Sequence, residues 1–470
     1  MESTNVLPRA RLGALPRRAA SAKAATPTKA RPRRSVGGPG PGSRRRCTSA
    51  KPGSGEAGYA EAGVRDDVVA AQSRVIGRAL RNQGRSPAAA LLILFAAASA
   101  QAQFIDHFGS PAIGGWTWLT GDGEALMDMR QRDGYASIYV DATRDRHNIW
   151  WALVKHEVSD ALDLSLVPKP RYELRVEARI RASHAPRRVN LHVNTQRTVD
   201  FHTHLMEFDI PDTSSWHTIS MTTDGFDARS SDTVNGQLAM IDWGLGKYRL
   251  DIDYFKVDVV DTVGAEPDLG EQVPYHPPIR DPEAFEYHVP VAEDAVVDLD
   301  HPDLNLDGWY AIVDSVRLPA LTVEANRFVI LRWDLTSYAD REPADSGLLE
   351  LTSIFLSRAS YSLEEFGQVR VVEILGGDPE WKDELVTLNS LAQGRPLEAV
   401  FNTQMIIDVD VNETMGGSNL ITISRPVLRR MLDGTTHGLL IRPLGPVSAA
   451  FFSREHAEGR QGAVLHFTLR

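Results

Sequence analysis

The chain has 470 residues, 42% hydrophobic and 24% charged, enough for two or three soluble domains that each bury a core. Its net charge of −11 hides a division: residues 1–85 carry 18 Lys and Arg against 5 Asp and Glu, and the other 385 carry 33 against 57, so a head of +13 precedes a body of −24. A body of that sign repels phosphate backbones and anionic bilayers, which argues against nucleic acid and membrane surfaces as its partners.

The head is rich in Arg, Ala, Pro, Gly and Ser, as in TKARPRRSVGGPGPGSRRR, and reads as a disordered leader over 1–85. The run SPAAALLILFAAASAQAQ (86–103) places an uncharged apolar core after Arg78, Arg81 and Arg85 and ends in Ala-x-Ala sites. This is the layout of a secretory signal peptide, and the core is too short for a comfortable membrane span. A start codon set too far upstream explains such a signal after 85 residues; a two-part organelle-targeting leader is the alternative. Cys47, the single cysteine, falls in the leader, so a mature chain beginning near Phe104 has no disulfide. The location expected is secreted or periplasmic.

From Phe104 onward, short alternating segments separated by Gly, Pro, Asp and Asn predict strands: YASIYVDA, NIWWALVKHEV, RYELRVEARIRA, RVNLHVN, WHTISMTT, QLAMIDW and YRLDIDYFKVDVV. The Pro-rich, acidic stretch over 262–287 predicts a linker. Strands resume with FVILRWDLT, LLELTSIFLS, QVRVVEIL, NLITISR, HGLLIRPL and GAVLHFTLR. One helix is expected at ISRPVLRRMLDG, where Pro426 suits a first turn and Gly434 a stop. The fold class is therefore all-β: two antiparallel β-sandwiches of jelly-roll type in tandem, over 104–261 and 288–470.

In RVNLHVNTQ, alternation sends Val189, Leu191 and Val193 one way and Arg188, Asn190, His192, Asn194 and Gln196 the other. The preceding strand opposes Tyr172, Leu174, Val176 and Ile180 to Glu173, Arg175, Glu177, Arg179 and Arg181. Side by side, the two polar faces would make a hydrogen-bonding floor suited to sugar hydroxyls and carboxylates, with His202 and His204 at its edge. A solvated outer face laced with cross-strand ion pairs is the other reading. His192, His202 and His204 also admit a zinc reading. Asp303, Asn305, Asp307 and Asp314 fit the calcium-loop pattern in DLNLDGWYAIVD, without its flanking helices. Trp116, Trp118, Trp150, Trp151 and Trp243 fall in the first domain, and an exposed indole such as Trp150 can stack on a pyranose ring.

The opening FIDHFGSPAIGGWTW, the central RYELRVEARIRA, the DTSSWHTISM strand and the closing YRLDIDYFKVDVV resemble the jelly-roll carbohydrate-binding modules of the family 4, 16 and 22 type. Residues 288–470 resemble the DNRLRE, or disaggregatase-related, domain and its alginate-binding relatives. DAVVD, RFVILRWDL, EWKDELVTLNSL, MIIDVDV, GLLIRPLG, FFSRE and AVLHF match in order, with Trp333 where that family usually has Phe. RYELR, LHVNTQ and YFKVDV are similar, in order, to three strands of jelly-roll alginate lyases, although the middle motif and the spacings depart. That likeness implies Arg175, Asn194 and Gln196 on a uronate carboxylate, His192 as base and Tyr254 as acid.

The function expected is binding of an acidic, alginate-like polysaccharide by both sandwiches, with calcium as the one cofactor. A polyuronate lyase in the first sandwich is the rival, and a structural matrix protein the third reading. Oligomeric state stays open.

Overall fold

The computed structural model describes residues 103–109, 113–120, 125–144, 150–167, 170–242, 246–274, 278–358, 368–402, 407–444 and 447–470. The expected leader over 1–85 and the signal-like run up to residue 102 lie outside them.

The first sandwich is built from β1 (Gln103–Asp106), β2 (Trp116–Thr120), β3 (Leu126–Arg132), β4 (Tyr135–Asp141), β5 (Trp150–Glu157), β6 (Tyr172–Ala182), β7 (Arg187–Thr195), β8 (Leu205–Ile210), β9 (His217–Thr222), β10 (Val234–Asp242), β11 (Lys247–Asp261) and β12 (Gln272–Val273). One antiparallel sheet runs β3-β4-β11-β6-β9, with β1 also on β11, and the facing sheet runs β12-β8-β7-β10-β5-β2. Alternation places Leu174, Val176, Ala178 and Ile180 of β6 against Val189, Leu191 and Val193 of β7, all fully buried. Each branched side chain so buried contributes about 1.5–3 kcal/mol. The sheets approach closely at Gly236 of β10, where a Cβ would stand 2.9 Å from both Phe255 and Val257 side chains.

The stretch read as a linker is fastened to this sandwich. The carbonyls of Glu266 and Pro267 accept from Arg175, Asp268 accepts from the Thr222 amide at 2.8 Å, and Gln272–Val273 pairs with β8. The chain thus crosses from one sheet edge to the other before leaving, and the first sandwich runs on to Val273.

The second sandwich comprises β13 (Tyr287–Pro290), β14 (Glu293–Asp298), β15 (Tyr310–Val313), β16 (Val316–Val323), β17 (Arg327–Arg332), β18 (Gly347–Arg358), β19 (Gln368–Glu373), β20 (Ile407–Asp410), β21 (Ser418–Ile423), β22 (Leu439–Leu444), β23 (Val447–Phe452) and β24 (Val464–Phe467), with helices α1 (Leu388–Ala392) and α2 (Arg425–Leu432). Its sheets run β13-β24-β18-β23-β16-β15, with β21 on β18, and β14-β17-β22-β19-β20. The expected helix is α2: Pro426 opens it and Gly434, at φ +79°, follows its end. It buries Val427, Leu428, Met431 and Leu432 in the second core.

The arginines of α2 join the two sandwiches, which belong to one compact unit. Arg430 donates to Asp209 of β8 at 2.6 Å and to Glu373 of β19 at 2.8 and 2.9 Å. Glu373 also accepts from Thr436 and Asn402, at 2.6 and 2.9 Å. Arg425 and Arg429 both reach Glu271. Burial opposes the charge of Arg430, but Glu373 and Asp209 together outweigh it and raise its pKa. Removing one member of such a buried set strands its partners. Arg430→Met is therefore expected to lower stability by about 3–5 kcal/mol, measured by chemical denaturation. Arg430→Lys should recover only part, because a point charge cannot serve both carboxylates as the fork does.

Candidate binding faces of the first sandwich

The expected common floor does not form. β6 and β7 are consecutive in sequence but lie in different sheets, so their polar faces point to opposite sides of the sandwich. Arg175, Arg179 and Tyr254 occupy one side, and Arg188, Asn190, His192 and Asn194 the other. The constellation drawn from the lyase likeness is not assembled, because the core separates His192 from Tyr254.

On the β6 side, Arg175 is buried and spent on its own fold. It donates to the Glu266 and Pro267 carbonyls at 2.6 and 3.0 Å and to Ser220 at 2.8 Å, with Asp268 at 3.6 Å. Arg179 pairs with Asp253 at 2.8 Å. The Tyr254 hydroxyl donates to Glu177 at 2.7 Å; burial and that carboxylate push its pKa up to about 12, holding it protonated.

The β7 side divides into two halves. Toward the second sandwich, Arg188 donates to Glu207 at 2.9 Å and to Ser424 at 3.4 Å, lies 3.8 Å from Asp209, and is 2% exposed. Asn190 gives its amide N–H to the same Glu207 at 3.1 Å. This half is the seam between the sandwiches, so Arg188 is not offered to a ligand. Away from the seam, His192, Asn194, Asn235 and Gln237 form a block across β7 and β10, since Gln237 is opposite His192 and Asn235 opposite Asn194. Lys155, opposite Gln237, and Glu157, opposite Asn235, continue these rows onto β5. The floor is buried, whereas Asn235 and Lys155 are half-buried and Glu157 exposed, so it opens toward β5. Three buried atoms on the β7 side have no hydrogen-bond partner among the described residues: Arg188 Nε and Asn190 Oδ1 in the seam half, and His192 Nε2 in the open half.

Sequence reading missed Gln237 and Asn235. Gln237 opens a segment read only as a strand and Asn235 lies two residues before that segment; the period of two puts both on one face.

The remaining expected residues scatter. Gln196 bridges a neighbouring turn, donating to Asp232 at 3.0 Å and accepting from the Thr233 amide at 2.8 Å. His202 is exposed beside Asp200, in a turn rather than on a strand, and His204 lies edge-on to Phe226 at 5.0 Å. The three histidines therefore share no strand face. Trp116 is core, giving its indole N–H to Asp106 at 2.8 Å, and Trp118 is 39% exposed. The side chains of Trp150 and Trp151, and Trp243 altogether, lie outside the described residues.

The residues of the calcium pattern do not gather into a ligand shell. Asn305 spends its amide on the Asp383 and Val386 carbonyls, Asp303 accepts from Asn389, and Asp314 forms the β15–β16 turn with Ser315, both at positive φ. Among the described residues, no group of three or more His, Cys, Asp or Glu could hold a metal ion, and no helix is long and apolar enough to cross a membrane.

Burial, with His202 and His204 adding to it, pushes the His192 pKa down to about 4, while a hydrogen bond to the Phe201 backbone opposes the shift. His192 is thus a neutral donor or acceptor at neutral pH. The unfolded chain takes up its proton near pH 6.5, the folded chain only near 4. The stability present above pH 6.5 is therefore lost as pH falls through that window, by roughly 3 kcal/mol. His192→Gln should flatten this part of the stability–pH curve, followed by urea titration at stepped pH.

No protein-family model matches the chain, and no curated protein matches it, so the DNRLRE-like pattern of 288–470 rests on its short motifs alone. Solved structures do match over about a third of it. A family 11 carbohydrate-binding module from Clostridium thermocellum, in complex with a β-1,3-1,4-mixed-linked tetrasaccharide, is similar at 10% identity over 34% of this chain and 97% of that one, with a TM-score of 0.23. A family 22 xylan-binding domain from Paenibacillus barcinonensis is similar at 14% identity over 35% and 99%, also at 0.23. A family 4 module is similar at 16% identity over 34% and 90%, at 0.21.

Proposed function

We propose that this is a polysaccharide-binding protein, secreted or periplasmic, whose first sandwich takes an uncharged, hydroxyl-rich stretch of glycan on the outer face of its β7 sheet. The observation that carries the reading is the unpartnered buried atom His192 Nε2, set beside the amides of Asn194, Asn235 and Gln237 in the half of the face that the seam leaves open. A buried polar atom without a partner costs about 1–3 kcal/mol, and a ligand hydroxyl, both donor and acceptor, suits a neutral imidazole flanked by amides. The alternation of Asn194, Asn235 and Gln237 adds paired donors and acceptors beside the imidazole.

The acidic, alginate-like ligand expected from sequence is a poor fit to this face. Its one buried guanidinium, Arg188, is given to Glu207 and Ser424, and His192 is neutral. The signal-like run over 86–103 supports an extracytoplasmic location.

The full chain should be retarded in native gels containing a neutral glucan or xylan. Gln237→Ala and Asn194→Ala should each weaken that retardation about fivefold, the loss expected for one or two neutral hydrogen bonds. Absence of retardation in every neutral polymer, or indifference to both substitutions, would sink the reading. Ultraviolet absorbance should show no unsaturated uronate released from any polyuronate.

A further inference from the structure

The opposite face of the same sandwich has a different chemistry. Across the β6 sheet, register sets Arg132 of β3 beside Tyr135 of β4, Tyr139 beside Arg249 of β11, and Asp251 of β11 beside Arg181 of β6. Trp216, just before β9, lies edge-on to Tyr135 at 5.9 Å, with the Arg181 guanidinium 4.7 Å from its ring. Arg130 and Arg132 lie 5.2 and 5.6 Å from the ring of Tyr139. Guanidinium groups interleaved with aromatic rings thus pave a face of a chain whose body is otherwise strongly acidic.

These cations are unequally neutralised. Arg181 and Arg249 share the buried Asp251 at 3.0 and 2.9 Å, and Arg179 pairs with Asp253. Arg132 forms no ion pair among the described residues; its partner is the Tyr139 hydroxyl, to which it donates. Arg132 is exposed and opens onto a hollow of about 600 Å³ whose walls include Tyr135, Tyr139, Gln131 and Arg249, with Asp133 at the rim. That is a suitable volume for a saccharide segment. Aromatic rings can cover the apolar face of a sugar, and a guanidinium fork binds a carboxylate or sulfate through two parallel hydrogen bonds.

We propose that this hollow is a second saccharide site, selective for sugar residues that carry a carboxylate or a sulfate, with Arg132 as the anion-binding group, Tyr135 and Tyr139 as the ring-stacking walls, and Trp216 supporting Tyr135 edge-on. It is independent of the neutral-glycan face, from which the core separates it. The two sites give the protein a means of bridging two kinds of polymer.

The test uses the full chain in affinity gels containing polygalacturonate, a sulfated galactan or a neutral glucan, at low and raised salt. Retardation by an anionic polymer that weakens with salt, falls about tenfold in Arg132→Gln and recovers in part in Arg132→Lys is the expected result. Retardation by polygalacturonate alone identifies the group as a carboxylate, and by the galactan alone as a sulfate. Gln237→Ala should leave anionic retardation unchanged, and Arg132→Gln should leave glucan retardation unchanged. Because Arg132 is exposed, Arg132→Gln should keep the fold, which circular dichroism checks; Tyr139→Phe, which removes only the hydroxyl that holds Arg132, provides a second probe. No retardation in either anionic polymer, or equal retardation by the parent, Arg132→Gln and Tyr139→Phe proteins, overturns the proposal.

Discussion

A chain of buried charges and amides runs from one sandwich into the other, and the placement of every surface follows from it. It begins at Asn190, passes through Glu207, Arg188 and Asp209, crosses to Arg430 and ends on Glu373, which Thr436 and Asn402 also hold. The cost of taking such ions out of water is offset to the extent that their lone pairs and N–H groups find partners. Glu373, fully buried, finds three donor residues, and Arg430 places its planar fork between two carboxylates. An apolar seam of the same area could bind as tightly. It would slide more easily, because area burial has no direction and a forked hydrogen bond does.

That seam decides which part of the β7 face meets solvent. Had the sandwiches been joined by a free tether, Arg188 and Asp209 would be open and the face would carry charge. With the tether pinned to β8 by Gln272–Val273 and to α2 by Glu271, the charged end closes and the amide end stays open. The two outer faces of the first sandwich therefore differ in kind. One is a neutral strip beside a seam, and the other is a cationic, aromatic face with no seam against it among the described contacts.

Much of this fold could be read from the sequence. Alternation is a local property, and it marked β4, β6, β7, β9 and β11 correctly because one side of each packs into a single core, while Pro426 and Gly434 marked α2. Sheet membership is not local. β6 and β7 show the same pattern and are joined by a short turn at 183–186, yet the chain crosses there from one sheet to the other, and a period of two is the same on either side. The misreading of Arg175 and His192 as neighbours came from that one ambiguity. The calcium-like string shows a related limit: a D-x-N-x-D-G string specifies a turn, and whether its oxygens converge depends on what the turn packs against. Here Asn305 and Asp303 turn to the α1 region instead.

Helix α2 shows the same limit from the other side. RPVLRRML is amphipathic, and a face with Arg425, Arg429 and Arg430 opposite Val427, Leu428 and Met431 is ordinarily the solvated one. A solvated reading would make these arginines worth a few tenths of a kcal/mol each. Their positions satisfy a different demand. The body of the chain carries an excess of 24 acidic charges, and among them Glu271, Asp209 and Glu373 come from the tether and both sandwiches. Three cations on one helical face can neutralise all three acids only if the sandwiches stand at one particular offset. The acidic excess of the body thus supplies the carboxylates that orient its two halves.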